Sequence, residues 1–323
     1  MASMSDRDKK PLITKQKPML RVVYALVPVC IAAIYFFGWR FLAVLAVSNA
    51  VGFIGEYLFA RVYKQSVTSS VFVTAFLFAL SLPPTIPLWI AAVGVAFGIV
   101  FGKMVFGGFG KNIFNPALSG RAFIYVSFGV PMTSHFIEPF PGFPGGFAAW
   151  LPEIDAVTKS TPLLKLAEGE SIPYLKLLLG NTSGALGETC AVLIIICGIY
   201  LIIKKAASYH IVLSGITGFL IPQFIFWLLP GVSGVPDPIF SILSGSFLFG
   251  IMFMATDPVS ASQTTNTGRL IYGALIGILT SLIRVFSVWP EGITFAVLLA
   301  NMFAPLIDHI IKSLRKRGKV KVV

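Results

Sequence analysis

Charged residues are scarce in this chain. They make up only 12% of its 323 residues, whereas apolar residues make up 56%. Soluble globular domains carry about 25% charged and roughly 45–50% apolar residues. A soluble fold with so little charge could not cover its own surface, so most of the exterior is expected to face lipid. Soluble, disordered and nucleic-acid-binding proteins are therefore largely excluded, although the formal net charge is +12.

Cysteine and histidine are also rare, with three of each. The cysteines form no CxxC pair and cannot supply the four thiolates of an ordinary iron–sulfur cluster. The histidines are scattered, with no HExxH motif, and the chain has no GxGxxG nucleotide-binding motif. We therefore predict no metal site and no complete catalytic site on this chain. If the protein moves electrons, an organic cofactor must carry them.

Ten apolar runs predict ten transmembrane helices, because roughly 20 apolar residues are needed to cross a hydrocarbon core of about 30 Å. Several runs are short or interrupted by glycine and proline. The predicted fold class is an all-α polytopic membrane protein. The predicted spans are 22–39, 41–63, 67–82, 87–105, 113–130, 187–203, 209–229, 238–255, 270–288 and 292–311.

Basic residues orient these spans. With the N-terminus in the cytoplasm, most of the Lys and Arg residues, Lys103 and Lys111 among them, fall on the inner side, as membrane proteins require. The net charge then mainly reflects topology, and nucleic-acid binding is the weaker interpretation of the basic tail. The expected location is the bacterial cell membrane, with both termini cytoplasmic. The expected units are a basic N-terminus (1–21), a first five-span repeat (22–130), an extracytoplasmic segment (131–186), a second five-span repeat (187–311) and a basic tail (312–323).

Two short patterns recur along the chain. Residues 69–83 match residues 244–258 in their Ser, Phe and Pro positions, and the Asn-x-Phe-x-Pro pattern of 112–116 returns at 301–305. Five spans on each side of the central segment would give two such halves opposite orientations. This is the inverted-repeat layout, with interrupted helices near mid-membrane, of many transporters. Chance similarity between Phe-rich helices is the alternative.

The central segment is too long for a passive connector in so compact a chain. It contains a polar stretch in which Asp155, Thr158 and Thr161 are spaced three residues apart, followed by Pro162. In a structural interpretation, Asp155 caps a short helix by accepting backbone N–H bonds. In a functional interpretation, the stretch is a modification site, and the Thr161 hydroxyl accepts a group through a phosphoester bond.

Five motifs in chain order give the sequence a specific resemblance. They are residues 110–118, 120–123, 155–163, 184–189 and 254–261. With them, the chain resembles the D subunits of the Rnf ion-translocating ferredoxin:NAD oxidoreductases, a family related to the B subunit of the sodium-pumping NADH:quinone oxidoreductase. The resemblance extends from the first span to the last. It implies a ten-helix inverted repeat similar to urea-channel proteins.

The resemblance also implies two flavins. Thr161 would carry covalent FMN through its phosphate, installed by a separate flavin transferase that reads a motif including Asp155 and Thr158. A second, non-covalent flavin, which is riboflavin in related subunits, would lie within the membrane. A carrier at that place is also expected physically, because an external flavin cannot pass electrons across ~30 Å of hydrocarbon in one efficient step.

Polar side chains inside the spans are the candidates for holding the second flavin, because such groups are costly in lipid and usually functional. Asn112 and Asn115 flank a helix start and could bind the flavin's uracil-like edge, and Asp257 could bind a ribityl hydroxyl. Alternatively, Asn115 and Asp257, which precede prolines, only cap helices, and Arg121 pairs with Glu188. The complete candidate set is Lys111, Asn112, Asn115, Arg121 and Asp257.

The resemblance implies a role in a larger complex. Electrons would pass from an FMN-bearing extracytoplasmic subunit, through this chain, to a cytoplasmic NAD-binding subunit, with iron–sulfur membrane subunits also present. The complex would couple this transfer to Na⁺ or H⁺ movement. A channel or permease for a small polar solute is the alternative, because inverted repeats and broken helices fit it equally well.

Overall fold

A computed structural model describes residues 11–152, 161–167, 169–170, 172–230, 234–262, 264–287 and 292–320. This part of the chain is mostly helical. Its strands are β1 (Ile13–Thr14) and β2 (Val67–Thr68), which pair in parallel and bring the segment before the first helix against the segment before the third. The predicted all-α membrane class is confirmed.

Among the described residues, five helices precede the central segment, a sixth extends into its start, and two lie within it. The fourth continues from α-helix into a π-helix at Val100–Met104, and a 3₁₀ turn covers Gly145–Ala148. The helices are α1 (Lys17–Phe37), α2 (Arg40–Val62), α3 (Ser70–Leu80), α4 (Leu88–Ile99), α5 (Pro116–Ser127), α6 (Gly129–Ser134), α7 (Pro162–Ala167) and α8 (Tyr174–Leu179).

Six more helices follow the central segment. The fourth of these is a single turn that continues into a second π-helix at Gly250–Met254. The helices are α9 (Ala191–Ile203), α10 (Tyr209–Leu228), α11 (Pro238–Leu243), α12 (Phe247–Phe249), α13 (Asn266–Phe286) and α14 (Ile293–Val320).

All ten predicted spans coincide with helical segments, but not all are continuous. Among the described residues, five helices are long and apolar enough to cross a membrane: α1, α2, α10, α13 and the part of α14 up to Arg315. The predicted span 113–130 contains the 12-residue α5, and the predicted span 238–255 divides into α11, α12 and a π-helix. The ten-span count and the inverted repeat stay predictions.

Proline and glycine account for the interruptions. Pro83 and Pro84 follow α3, and a residue before proline is disfavoured in helical conformation. Gly245, with φ +66°, separates α11 from α12 in a backbone conformation that side chains with a Cβ rarely adopt. In both halves helical structure ends before the proline of the first recurring pattern, Pro83 or Pro258. The Gly245 break lies at the other end of that pattern, where α3 of the first half instead begins. The second pattern does not mark a helix boundary in both halves, because Asn301 and Pro305 lie inside α14.

Two arginines donate hydrogen bonds to backbone carbonyl groups that have no helical partner because of these breaks. Arg40 donates to the carbonyl of Pro84 at 2.5 Å. Arg284 donates to the carbonyls of Ser241 and Ser244 at 2.5 and 3.2 Å. In lipid every backbone polar group must be bonded internally, so interrupted helices depend on such donors.

Close glycine contacts hold the helices together in each half. A Cβ on Gly98 of α4 would lie 2.3 Å from the carbonyl oxygen of Pro116 in α5, and one on Gly120 would lie 2.4 Å from that of Gly94. In the second half, a Cβ on Gly277 of α13 would lie 2.2 Å from the carbonyl oxygen of Gly215 in α10. The hydrophobic effect does not drive helices together inside lipid, so their packing depends on close van der Waals contact. Small residues allow the backbones to approach closely enough for it.

Candidate functional site

Polar side chains from both halves meet around a cavity, called the Asn112 cavity below, with an empty volume of about 570 Å³. Its wall includes residues of α1 and α3, the first π-helix, the loop before α5 and the loop after the second π-helix. The polar members that matter below are Ser70, Lys103, Asn112, Asn115 and Asp257. The structure therefore brings together three of the five residues predicted for an embedded site.

Asn112 is the predicted residue that is best placed to bind a ligand. Its Nδ2 donates to the backbone carbonyl of Phe114 at 2.9 Å, which fixes the orientation of the amide. The side-chain oxygen accepts no hydrogen bond within the described residues. Asn112 is 7% exposed and lines the cavity, so this oxygen is an acceptor without a protein donor at a largely buried position.

Asn115 has a different role, because its amide is fully used by the protein. Its Oδ1 accepts the backbone N–H groups of Ala117 and Leu118 and so caps α5, and its Nδ2 donates to the carbonyl of Met254. Its own N–H donates to Oδ1 of Asn301 in α14. Asn115 therefore caps α5, as its capping interpretation predicted, and it also joins the two halves of the chain, so it offers little to a ligand.

Asp257 also lines the cavity, in the loop that follows the second π-helix. It is half-buried, and its Oδ2 accepts hydrogen bonds from the backbone N–H and the hydroxyl of Ser260, at 3.2 and 2.7 Å. These bonds form a tight local turn before the chain enters α13. The carboxylate is thus held in place at the cavity surface.

A buried ion pair that the sequence did not predict lies at this cavity, with its lysine at the wall. Lys103, in the first π-helix, donates to Oε2 of Glu56 at 2.5 Å, and the two side chains are 1% and 2% exposed. The interpretation of Lys103 as a basic residue that only orients the spans is wrong, because its ammonium is buried and paired. The sequence did contain a signal for this pair, because both residues lie inside apolar runs, where a charged side chain is rare and costly.

Lys111 and Arg121 lie away from the Asn112 cavity. Lys111 is exposed in the loop beyond the π-helix. Arg121 is buried in the middle of α5 and pairs with Glu188 at 2.8 Å. The pairing that was the structural interpretation of Arg121 is therefore confirmed.

Glu188 leads to a second cavity, called the Thr161 cavity below, with an empty volume of about 390 Å³. Thr161 lies at its wall, immediately before α7, together with Thr182, Ser183 and Thr189. The side chain of Thr161 is 8% exposed, so its hydroxyl is less accessible than the modification-site interpretation expected. Asp155 and Thr158, the other motif residues, lie outside the described residues.

An open polar groove continues from this cavity and shares its residues Thr182 and Ser183. The groove has an empty volume of about 880 Å³ and is lined by charged residues of the central segment, including Glu138, Lys165 and Lys176. Lys165 donates to Glu138 at 3.0 Å at the surface. The Thr161 cavity therefore opens toward a groove that encloses about 360 Å³, which lies within the roughly 300–1,000 Å³ of pockets that hold organic ligands.

These features define a polytopic helical membrane protein with two polar cavities, one between its halves and one beside its central segment. Residues 9–316 match the family model described as the NQR2, RnfD, RnfE family. The chain belongs to this family, which confirms the family predicted from the five motifs.

Several curated proteins that are similar to this chain share one name. They are B subunits of the Na(+)-translocating NADH-quinone reductase, 43% identical to this chain over 285 residues in Ectopseudomonas mendocina, 41% over 285 residues in Stutzerimonas stutzeri and 38% over 282 residues in Yersinia pestis. Each match covers 84% of this chain and 66% of the relative. The matched region thus spans just under two thirds of the length of these relatives.

Proposed function

We propose that this chain is a flavin-bearing membrane subunit of an ion-translocating oxidoreductase complex. It carries covalent FMN on Thr161 and a second, non-covalent flavin, riboflavin by its resemblance, in the Asn112 cavity. Electrons cross the membrane through the two flavins, and the complex couples this transfer to movement of Na⁺ or H⁺. The proposal is supported by the family of the chain and by the presence of two separate polar cavities.

The observation that carries the proposal is the position of Thr161. Its side chain lies at the wall of a cavity that continues into an open groove, so a group attached to the hydroxyl has space beside the chain. A phosphodiester at this oxygen would join FMN to the protein. FMN bound there would supply one- and two-electron transfer, which no side chain of this chain provides.

The wall of the Asn112 cavity has chemistry that suits a flavin, and its enclosed space of about 40 Å³ would have to widen to admit the ring. The Asn112 oxygen is an acceptor that matches the N3–H of the flavin's uracil-like edge in chemical type, and the Asp257 carboxylate suits a ribityl hydroxyl. Apolar residues such as Leu77 and Phe253 complete the wall and suit the face of an aromatic ring system. Asn115 would act indirectly, by fixing the loop that carries Asn112.

The partners follow from the same proposal. The FMN on Thr161 exchanges electrons with an FMN-bearing extracytoplasmic subunit, which places residues 131–186 outside the membrane and both termini in the cytoplasm. A cytoplasmic NAD-binding subunit and iron–sulfur membrane subunits complete the complex. By its motifs we assign the chain to an Rnf-type, ferredoxin:NAD complex. Its relatives are named as subunits of an NADH-quinone reductase, so NADH:quinone oxidoreduction is the alternative reaction that should be tested beside the ferredoxin:NAD reaction.

Mass analysis of the Thr161 peptide tests the covalent flavin. The full chain, coexpressed with a flavin transferase, is expected to show the added mass of FMN at Thr161 and a fluorescent band on a denaturing gel. Thr161→Ala should lose both completely. Thr182→Ala and Thr189→Ala are matched controls, because they remove hydroxyls at the wall of the same cavity and should keep the flavin.

The outcomes separate the alternatives. An unmodified wild-type peptide in the presence of transferase would refute the covalent flavin and favour a channel or permease, since a solute pore needs no flavin acceptor. Retention of FMN by Thr161→Ala, with loss in a control variant, would show that a different hydroxyl is the acceptor.

A further inference from the structure

The Lys103 ammonium is held by oxygen atoms on three sides. It donates to Oε2 of Glu56 at 2.5 Å, to Oγ1 of Thr68 at 2.9 Å and to Oγ of Ser70 at 2.7 Å. These bonds use all three of its N–H donors. The ammonium therefore has a fixed position, and any effect on a ligand must come from its charge.

Glu56 is held as firmly as its partner. Its Oε1 accepts the backbone N–H of Thr68 at 2.8 Å and the Thr68 hydroxyl at 2.6 Å. The network thereby connects α2, β2, the start of α3 and the first π-helix. A fully bonded, fully buried pair of this kind is costly to desolvate, and well-packed apolar residues would often serve stability equally well. Stability alone is therefore a weak explanation for it.

The pair is oriented with respect to the Asn112 cavity. Lys103 and Ser70 line the cavity, whereas Glu56 is not part of its wall and lies behind them. The lysine end of the ion pair thus lines the ligand space, and its ammonium bonds to Ser70, which lines that space too. Asp257 faces the same space from the other half of the chain. At low effective dielectric, a fixed charge at such a wall acts strongly on a ligand that changes charge.

We propose that Lys103 sets the redox potential of the flavin in the Asn112 cavity, and that Glu56, Thr68 and Ser70 position its ammonium. This inference rests on the proposed function. Reduction adds negative charge to a flavin ring, and a cation near the ring favours the reduced form. Glu56 keeps the pair neutral overall, so that the cation is tolerated beside an apolar bundle.

The test is a spectroelectrochemical titration of the purified full chain in a Thr161→Ala background, in which only the non-covalent flavin is bound. Lys103→Met should lower the midpoint potential, because it removes the positive end of the pair. We expect the ratio of affinities for reduced and oxidised flavin to fall about tenfold, equivalent to about 30 mV for a two-electron couple. Lys103→Arg keeps the charge and should stay near the parent value.

Two further variants keep the test decisive. Lys103→Met combined with Glu56→Gln leaves no buried unpaired charge, so it should fold even if the single variant does not, and its potential should also fall. Lys111→Met is the matched control, because it removes the same charge from an exposed lysine outside the cavity and should leave the potential unchanged.

The result that overturns the inference is a potential in the Lys103→Met variants that equals the Lys111→Met value or rises above it. A different result would count against the proposed function. If the parent protein binds no non-covalent flavin after purification in riboflavin-containing buffer, the embedded flavin site is refuted and the inference falls with it.

Discussion

Two ion pairs are buried in the part of the chain that the structure describes, and they connect different regions of it. Lys103 and Glu56 both belong to the first half of the chain, within the bundle of α2, α3 and α4. Arg121 of α5 instead reaches Glu188, in the segment that leads from the central region into α9. The first pair is internal to one half, and the second ties that half to the part of the chain that carries Thr161.

This difference assigns each pair to its own cavity. Lys103 lines the Asn112 cavity, and Glu188 lines the Thr161 cavity. In both, a cation and a carboxylate compensate each other in a place where a single charge would be very costly. A charged residue inside an apolar run therefore does not by itself indicate a ligand site. Its ion-pair partner and the cavity that it lines must also be known.

Breaking the Arg121–Glu188 pair should have the largest effect on stability. Arg121→Met leaves the Glu188 carboxylate buried without the guanidinium, and loss of one partner of a buried pair costs about 3–5 kcal/mol. Denaturant unfolding in mixed micelles, followed by tryptophan fluorescence, measures the change.

Two controls sharpen this first prediction. The combination of Arg121→Met with Glu188→Gln should recover most of the loss, because no buried charge then remains. Lys165→Met breaks the partly exposed pair with Glu138 and should cost only about 0–1 kcal/mol. Equal losses for Arg121→Met and Lys165→Met would contradict the role assigned to the buried pair.

The two asparagines allow a comparison within the Asn112 cavity itself. Asn115→Ala removes the cap of α5, which typically costs about 1 kcal/mol, and leaves the Met254 carbonyl without its donor, which adds about 1–3 kcal/mol. Asn112→Ala removes one bond, to Phe114, and should cost about 0.5–1.5 kcal/mol. The same unfolding experiment gives both values.

Flavin retention separates these two variants further. Asn112→Ala should lose non-covalent flavin through a direct effect, at a stability close to that of the parent. Asn115→Ala should lose it only in proportion to its loss of stability. A stable Asn115→Ala protein without flavin, beside an Asn112→Ala protein that keeps it, would reverse the roles of the two asparagines.

Much of the fold could be predicted from the sequence, because hydropathy determines where lipid-facing helices lie. Each predicted span coincides with helical structure. The lengths of the individual helices could not be predicted from hydropathy. Apolar runs such as 113–130 continue beyond the helix they contain, since Asn115 and Pro116 fix where α5 begins through capping that hydropathy does not detect.

The site was only partly predictable for a similar reason. The sequence indicated Thr161 by motif resemblance and Asn112 and Asp257 as polar groups within spans, and all three line cavities. It could not separate Asn112 from Asn115, because the difference lies in hydrogen bonds to Met254 and to Asn301, far away in sequence. Lys103 was missed because a lysine near the end of a span resembles a topology signal until its distant partner is known.

The smallest expected effect concerns the surface that joins the central segment to the second half. Tyr174 of α8 donates a hydrogen bond to Oδ2 of Asp237 at 2.8 Å, while Oδ1 of Asp237 caps α11. This hydrogen bond raises the pKa of the Tyr174 phenol above its ordinary value of about 10. Slight desolvation and the negative charge of Asp237 act in the same direction.

The sign of the pH dependence follows from that shift. Because the folded-state pKa is raised, the contact contributes its full stability below the ordinary value, and the contribution is lost as pH rises through the raised value. Ultraviolet difference spectra of wild type against Tyr174→Phe should show one phenol that ionises late, and Asp237→Asn should move it back toward the ordinary pKa. A phenol that ionises at its ordinary value in wild type would mean that α8 does not stay bonded to the start of α11.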